Sequence, residues 1–241
     1  MTLHALSPLD GRYADEVSPL RDFFSEFAFL RVRAMVELDF LSALVKTGVI
    51  PSEALSDYQS NLQNFTEEDA RKIQEYEKTT RHDVKAIEYF LREKLPPEIH
   101  PYIHFGLTSE DVNNIAQAIF LRDSRDEVLL PALNNLIASL RDFAKRYRAL
   151  PFLARTHGQP AVPTTLGEEI VVYLARLLKS REEIPNHTFE AKLTGAVGNF
   201  NSWQAVAPDI NWIAFSKEFI ISLRLGPNLI TNQILPYDNW L

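Results

Sequence analysis

The chain has 241 residues, of which 25 are basic and 32 acidic, so its net charge is −7. This length allows one or two domains with a sizeable core, and the acidic balance disfavours nucleic acid, whose phosphate backbone needs a basic face. Because the chain has no cysteine, no secretory signal and no apolar run near the roughly 18 residues that span a bilayer, we expect a cytoplasmic protein without thiolate sites.

Helical periodicity dominates the amino-terminal part of the chain. In 20–45, apolar residues recur every three or four positions, which predicts one amphipathic helix with Arg31, Arg33 and Glu37 off its apolar stripe. Three shorter helices are predicted downstream, at about 51–63, 66–78 and 82–95. A pair of prolines ends the last of them.

Two long helices follow. Apolar residues alternate at three and four positions over 108–150, and this seam extends about 36 residues, or roughly 54 Å. Pro131 lies inside the pattern and is expected to kink or split the helix. The second helix, at about 164–184, is apolar on a broad front, so we expect it to be buried from more than one side.

These elements predict an all-α fold. The irregular stretch 96–107 is the expected boundary between a small N-terminal helical domain, 1–106, and an incomplete domain of long helices, 107–241. The apolar surface exceeds what two long helices can cover, which indicates a bundle completed by partner chains.

Two polar segments interrupt the helical rhythm near the amino terminus. In SPLDGRY a turn presents Arg12 and Tyr13, and an arginine fork can hold a phosphate or carboxylate. The alternative is an arm in which Arg12 pairs with a surface acid. In TTRHDV a threonine can cap the next helix, whose amides favour anions, and His82 lies beside Asp83. The alternative is a cap among surface charges.

Two further segments have polar and glycine residues near the long helices. In GLTSED, Thr108 and Asp111 match a capping box, and hydroxyls with Ser109 at a helix start can grip a carboxylate. The same box spacing occurs elsewhere in the chain, so it is not specific. In RTHGQP, a histidine fixed out of helix, His157, can act as a general acid or base, although a lone histidine is more often structural. No metal-binding motif appears, so no metal is predicted.

In order, SPLDGRY, TTRHDV, HFGLTSED, RTHGQPAVPTT and GAVGNF resemble the adenylosuccinate lyases of the fumarase/aspartase superfamily, from Leu6 to about Gln233. The resemblance implies an α-helical homotetramer whose active sites are shared between subunits, with no cofactor. It also implies a small-molecule substrate: β-elimination releases fumarate from adenylosuccinate, giving AMP, and from the succinylated aminoimidazole carboxamide ribotide of purine synthesis. The charge and the lack of a long apolar run already indicate no nucleic acid and no membrane.

The resemblance also implies roles for individual residues. His157 is the expected general acid, and His82 assists it or orients the substrate. The implied substrate-binding residues are Arg12 and Tyr13 at the phosphate, Arg81 and Asp83 against the substrate, Thr108 and Ser109 at the succinyl carboxylates, and Gln233.

Two departures from the family pattern matter. After Gln233 the family usually reads IEPHD, where this chain reads ILPYD. The sequence also stops at Leu241, before the family's GSSxMPxKxNP loop with its catalytic serine. We therefore expect an N-terminal portion of the enzyme that is inactive alone. The alternatives are another lyase of the superfamily, acting on argininosuccinate or malate, and a non-catalytic helical assembly module.

Overall fold

The computed structural model describes residues 4–50 and 64–240. The chain divides into two compact units, one made of Met1–Arg122 with Thr188–Leu241 and the other of Asp123–His187. The boundary expected within 96–107 falls inside the first unit, so the two-domain division at that point stays a prediction. Among the described residues, no helix is both long enough and apolar enough to cross a membrane.

The predicted helical fold is confirmed. The helices are α1 (Arg21–Phe24), α2 (Glu26–Thr47), α3 (Glu67–Thr80), α4 (Asp83–Lys94), α5 (Ser109–Ser124), α6 (Leu130–Arg146), α7 (Leu166–Glu183), α8 (Asn201–Val206) and α9 (Trp212–Ser222). Strands β1 (Pro151–Thr156) and β2 (Gln159–Thr165) form an antiparallel hairpin, and β3 (Glu190–Ala191) pairs in parallel with β4 (Gly226–Pro227). The sequence did not predict these strands.

Local signals set the ends of the first helices. The side chain of Ser25 caps α2 by accepting from the amide of Ala28, and Gly48 ends it in the left-handed conformation, with φ of 79°. Thr66 and Asp69 form a complete capping box at the start of α3. The helix predicted at 51–63 lies outside the described residues.

Helix α2 is buried nearly all round, which corrects one expectation from the sequence. Arg33 and Glu37 were expected off the apolar stripe, but they are only 4% and 0% exposed. The buried side chains of α2 are Ala28, Leu30, Val32, Arg33, Ala34, Val36, Glu37, Leu38, Phe40, Leu41 and Leu44. A helix surrounded by core brings its charged residues inside, where each needs a partner.

An aromatic cluster joins α2 to α8 and α9. The rings of Trp203 and Trp212 stack with centroids 5.5 Å apart, and Phe40 lies 6.0 Å from Trp203. The indole of Trp203 donates to the carbonyl of Phe105, 2.6 Å away. Its ring also lies so close to Gly106 that a Cβ there would be 2.1 Å from Nε1. The turn before α5 is therefore held against the core.

The second unit is built on an antiparallel pair of helices, α6 and α7. Gly167 allows their close approach, because a Cβ there would lie 2.5 Å from the carbonyl oxygen of Ala144. At the other end Arg181 donates to Asn134 across 3.0 Å. Near Pro131, where a kink or split was expected, the backbone stays helical and changes to a π-helical turn, Arg125–Leu129, directly before the start of α6.

Candidate functional site

The junction of α3 and α4 holds three of the predicted site residues, Arg81, His82 and Asp83. Arg81 ends α3 in the left-handed conformation, with φ of 51°. The next residue, His82, is itself the N-cap of α4, because its Nδ1 accepts from the amide of Lys85 at 3.2 Å. The cap expected from a threonine is therefore supplied by the imidazole, while Thr80 donates to the carbonyl of His82.

This cap defines where the imidazole carries its proton when it is neutral. An Nδ1 that accepts an amide hydrogen bond has no proton of its own, so the proton is on Nε2. Nε2 lies 3.5 Å from the hydroxyl oxygen of Ser109, at the start of α5. The structure thus brings together His82 and Ser109, which are 27 residues apart in the sequence.

The turn before α5 is fixed by a buried carboxylate. Asp111 accepts from the amide of Thr108 through Oδ2 at 2.9 Å, which is one half of the predicted capping box. Its Oδ1 lies 2.8 Å from Nζ of Lys192, and both side chains of this ion pair are 0% exposed. Sequence reasoning missed Lys192, because a lysine beside a short strand has no motif.

The same ion pair holds the glycine-containing segment after β3. The amide of Thr194 donates to Asp111 at 3.1 Å, and Lys192 donates to the carbonyl of Gly195 at 3.1 Å. The hydroxyl of Thr194 bonds to that of Thr231 at 2.8 Å, and a Cβ on Gly198 would lie 2.0 Å from the Thr231 carbonyl oxygen. Segment 195–200 is therefore fixed between α5 and the stretch that precedes Gln233.

Gln233 lies close to this network but is itself exposed. Four residues later, the hydroxyl of Tyr237 donates to the carboxylate of Glu110 on α5. Burial and this hydrogen bond raise the pKa of Tyr237 above its ordinary value. The tyrosine, which replaces the histidine of the usual family pattern, therefore ties the end of the described chain to α5.

His157 belongs to the second unit, at the tip of the β1–β2 hairpin. Thr156 pairs with Gln159, so the two-residue loop is His157–Gly158. Both loop residues have positive φ, 51° and 73°, as a type I′ turn requires. Histidine is among the residues enriched in this conformation. The turn presents the imidazole to solvent, outside any helix, as the sequence predicted.

The amino-terminal arm presents the remaining predicted residues. Gly11 is buried and close to Ala5, whereas Arg12 and Tyr13 are exposed. The amide of Tyr13 donates to the carbonyl of Pro8 at 2.8 Å, which closes the predicted turn. The arrangement leaves the guanidinium of Arg12 accessible to an anion.

A second histidine before α5 contacts a buried carboxylate. Nδ1 of His104 lies 2.6 Å from Glu37 on α2, and the amide of His104 also donates to that carboxylate at 3.2 Å. Burial acts against a positive charge here, but the hydrogen bond and charge of Glu37, with smaller effects of Glu88 and Asp111, raise the pKa of His104. This pair fixes the turn that leads to Thr108.

Within residues 4–50 and 64–240, no group of three or more histidine and acidic side chains is arranged to hold a metal ion. Around the start of α5 the structure brings together the hydroxyl of Ser109 and the imidazole of His82, next to the turn at Thr108.

A family model and individual proteins of known name both match this chain along most of its length. A family model described as lyase matches residues 11–222. The chain is 44% identical over 248 residues to the adenylosuccinate lyase of Haemophilus influenzae, 43% over 248 residues to that of Escherichia coli and 41% over 258 residues to that of Dictyostelium discoideum. Each alignment covers 98% of this chain and 54% of the relative. The chain therefore spans about half the length of the curated relatives it matches.

Solved structures share the fold. A fumarate lyase from Mesorhizobium sp. BNC1 superposes with a TM-score of 0.76 at 21% identity, covering 89% of this chain and 49% of that one. A 3-carboxy-cis,cis-muconate lactonizing enzyme from Pseudomonas putida superposes with a TM-score of 0.72 at 20% identity. That superposition covers 88% of this chain and 48% of the enzyme's chain. At these identities the likeness concerns the fold alone.

The His104–Glu37 pair predicts a pH dependence of stability. Because the folded-state pKa of His104 is raised, its contribution is fully present below the unfolded pKa of about 6.5 and is lost as pH rises through the folded value. We expect the unfolding free energy lost on replacing His104→Gln to be larger at about pH 6 than at about pH 9, measured with guanidinium chloride.

His100→Gln is the matched control, because the ring of His100 is hydrogen-bonded to the carbonyl of Leu95, at 3.0 Å, and has no ion pair with an acidic side chain among the described residues. The loss caused by His104→Gln is compared with the loss caused by this variant at each pH. An effect of His104→Gln that is equal at both pH values would contradict the assignment.

Proposed function

Because this chain belongs to the lyase family, we propose that its protein is an adenylosuccinate lyase of purine nucleotide biosynthesis. The observation that carries the proposal is the match, along nearly the whole chain, to proteins of that name from bacteria and an amoeba. Since the chain spans about half of those relatives, the proposed activity is that of the whole protein. The proposal includes a cytoplasmic location, a phosphorylated succinyl nucleotide as substrate, and no metal or cofactor.

The proposed reaction is a β-elimination. A base removes the proton from the carbon beside a carboxylate of the succinyl group, and the electron pair of that C–H bond forms the double bond of fumarate. The C–N bond breaks, and its electron pair stays on the nitrogen, which takes a proton from an acid to give AMP. Negative charge grows on the carboxylate during the first step, so fixed donors must stabilise it.

The turn at Thr108 and Ser109 is suited to that task. Both hydroxyls lie at the positive end of α5, and the Asp111–Lys192 pair holds the turn rigidly from below. The Nε2–H of His82 faces the hydroxyl of Ser109. We assign the carboxylates of the substrate to Thr108 and Ser109, and substrate orientation to His82.

We assign the general acid to His157. A proton donor to the leaving nitrogen must reach the substrate while it keeps access to solvent for reprotonation. The hairpin tip provides an exposed imidazole on a backbone turn of fixed conformation. Arg12 and Tyr13 are assigned to the phosphate, and Arg81, Asp83 and Gln233 to the remaining contacts with substrate.

A direct assay tests the function and the assignment of His157 together. The natural protein, at the length its gene encodes, should convert adenylosuccinate to equal amounts of AMP and fumarate. His157→Asn should lower kcat by about 10²–10⁴, the usual effect of losing a general acid. Asparagine is also favoured in a type I′ turn, so this substitution removes the acid and keeps the hairpin.

An unchanged melting temperature of the His157→Asn variant serves as the control for folding. An active protein that ignores adenylosuccinate and accepts argininosuccinate or malate would overturn the substrate assignment. A His157→Asn variant with wild-type kcat would remove His157 from the role of acid. Near-normal turnover by the 241-residue chain alone would contradict the expectation that this chain is inactive by itself.

We further propose that the chain assembles as a homotetramer through its second unit. In that unit the buried residues are Ile137 and Ala144 on α6 and Gly167 and Leu174 on α7. Within the chain, α7 is therefore not covered from more than one side, although the sequence led us to expect such burial. The exposed apolar side chains of the unit include Leu136, Phe143, Phe152, Leu153, Val162, Val171, Val172, Tyr173 and Leu178. Apolar surface of this extent on a helix pair favours burial against other helices.

Sedimentation at micromolar concentration tests this assembly. We expect a species several times the 27.6 kDa chain mass. Tyr173→Glu, which places a charge on a 58% exposed ring of α7, should weaken the association by tenfold or more, since burying an unpaired charge costs at least about 1.4 kcal/mol. Gln74→Glu on α3 adds the same charge at an exposed polar position and should leave it intact. A clean monomer would contradict the assembly.

A further inference from the structure

Arg33 is a cation inside the core. It lies within α2 and is 4% exposed. Its Nη2 lies 2.8 Å from Oδ2 of Asp83, the first residue of α4. A buried guanidinium costs several kcal/mol of desolvation, so its retention at this point calls for a physical reason.

The surroundings of Arg33 direct its charge toward Asp83. The guanidinium carbon lies 3.5 Å from the centroid of the Phe29 ring, and Nε has no hydrogen-bond partner among the described residues. Burial lowers the pKa of Arg33, and the charge and hydrogen bond of Asp83 oppose that shift. An arginine stays protonated even so. The ion pair with Asp83 is therefore the main polar contact of this side chain.

Asp83 lies next to the proposed substrate-orienting histidine. Its Oδ1 accepts from the amide of Val84 at 2.9 Å and lies 3.5 Å from Nδ1 of His82. A carboxylate beside an imidazole nitrogen attracts the ring proton to that nitrogen. A proton on Nδ1 would end the cap on Lys85 and leave no proton on Nε2 of a neutral ring to face Ser109.

We propose that Arg33 is a positioning residue that offsets and holds the Asp83 carboxylate, and so keeps the proton of neutral His82 on Nε2, facing Ser109. Arg33 acts from the opposite side of Asp83, through Oδ2, and is too deeply buried to touch a substrate. Its importance for catalysis rests on the proposed function, whereas its effect on the tautomer does not.

The tautomer is measured directly in the ¹⁵N-labelled 241-residue chain. Long-range ¹H–¹⁵N correlation spectra distinguish protonated from unprotonated ring nitrogens, and they also identify the neutral form of the ring in which the two tautomers are compared. We expect the Nδ1 resonance of His82 at the unprotonated position in the wild type and in Arg33→Lys. In Arg33→Met and in Arg33→Gln it should move toward the protonated position.

Two comparisons separate this role from a general structural effect. Arg31→Met removes the arginine two positions away, which contacts Phe27 and the carbonyl of Asp22, and should leave the Nδ1 resonance unchanged. Combining Arg33→Met with Asp83→Asn removes the uncompensated carboxylate and should restore the wild-type position.

A wild-type Nδ1 resonance in both Arg33→Met and Arg33→Gln would overturn the proposal. So would a double variant that stays shifted. The spectrum is independent of turnover, so a failure of the adenylosuccinate assay would leave this result standing.

Discussion

The buried ion pair between Asp111 and Lys192 is the contact on which the candidate site depends. Both side chains are fully buried, and removing one partner of such a pair typically costs about 3–5 kcal/mol, because the other is left as an uncompensated charge. The oxygen of Asp111 that contacts Lys192 also accepts from the amide of Thr194, and its second oxygen holds the amide of Thr108. One carboxylate thus joins the start of α5 to a segment 81 residues away.

Close backbone contacts extend this constraint outward. Gly198 meets the Thr231 carbonyl, and Gly106 meets the ring of Trp203, at distances that leave no room for a side chain. Because these contacts hold the backbone around the start of α5, the hydroxyls of Thr108 and Ser109 can keep fixed positions although their side chains are not part of the core. A site that must stabilise charge in a short-lived intermediate benefits from such preorganisation, because no reorganisation is needed during the reaction.

Much of the fold follows from periodicity, and the exceptions have physical causes. Apolar spacing predicted α2 to α7 because apolar residues recur at the helical period in each of them. The hairpin was missed because Pro160 and Pro163 argue against a strand, yet a two-stranded ribbon has free edges that tolerate them. The internal positions of Arg33, Glu37 and Lys192 were missed because a charge in a helical or short-strand pattern normally faces solvent, and their partners are far away in the sequence. The order of the motifs was enough to indicate the family. The contacts among the residues of those motifs could be seen only in the structure.

Amide hydrogen exchange in a Lys192→Met variant tests most directly whether this ion pair assembles the site. The amides of Thr108 and Thr194 both donate to Asp111, so we expect both to lose protection together, by about tenfold or more, while the interior of α2 stays protected. Lys217→Met, at an exposed position of α9, should change neither amide. Unchanged protection at Thr108 and Thr194 in Lys192→Met would contradict the account.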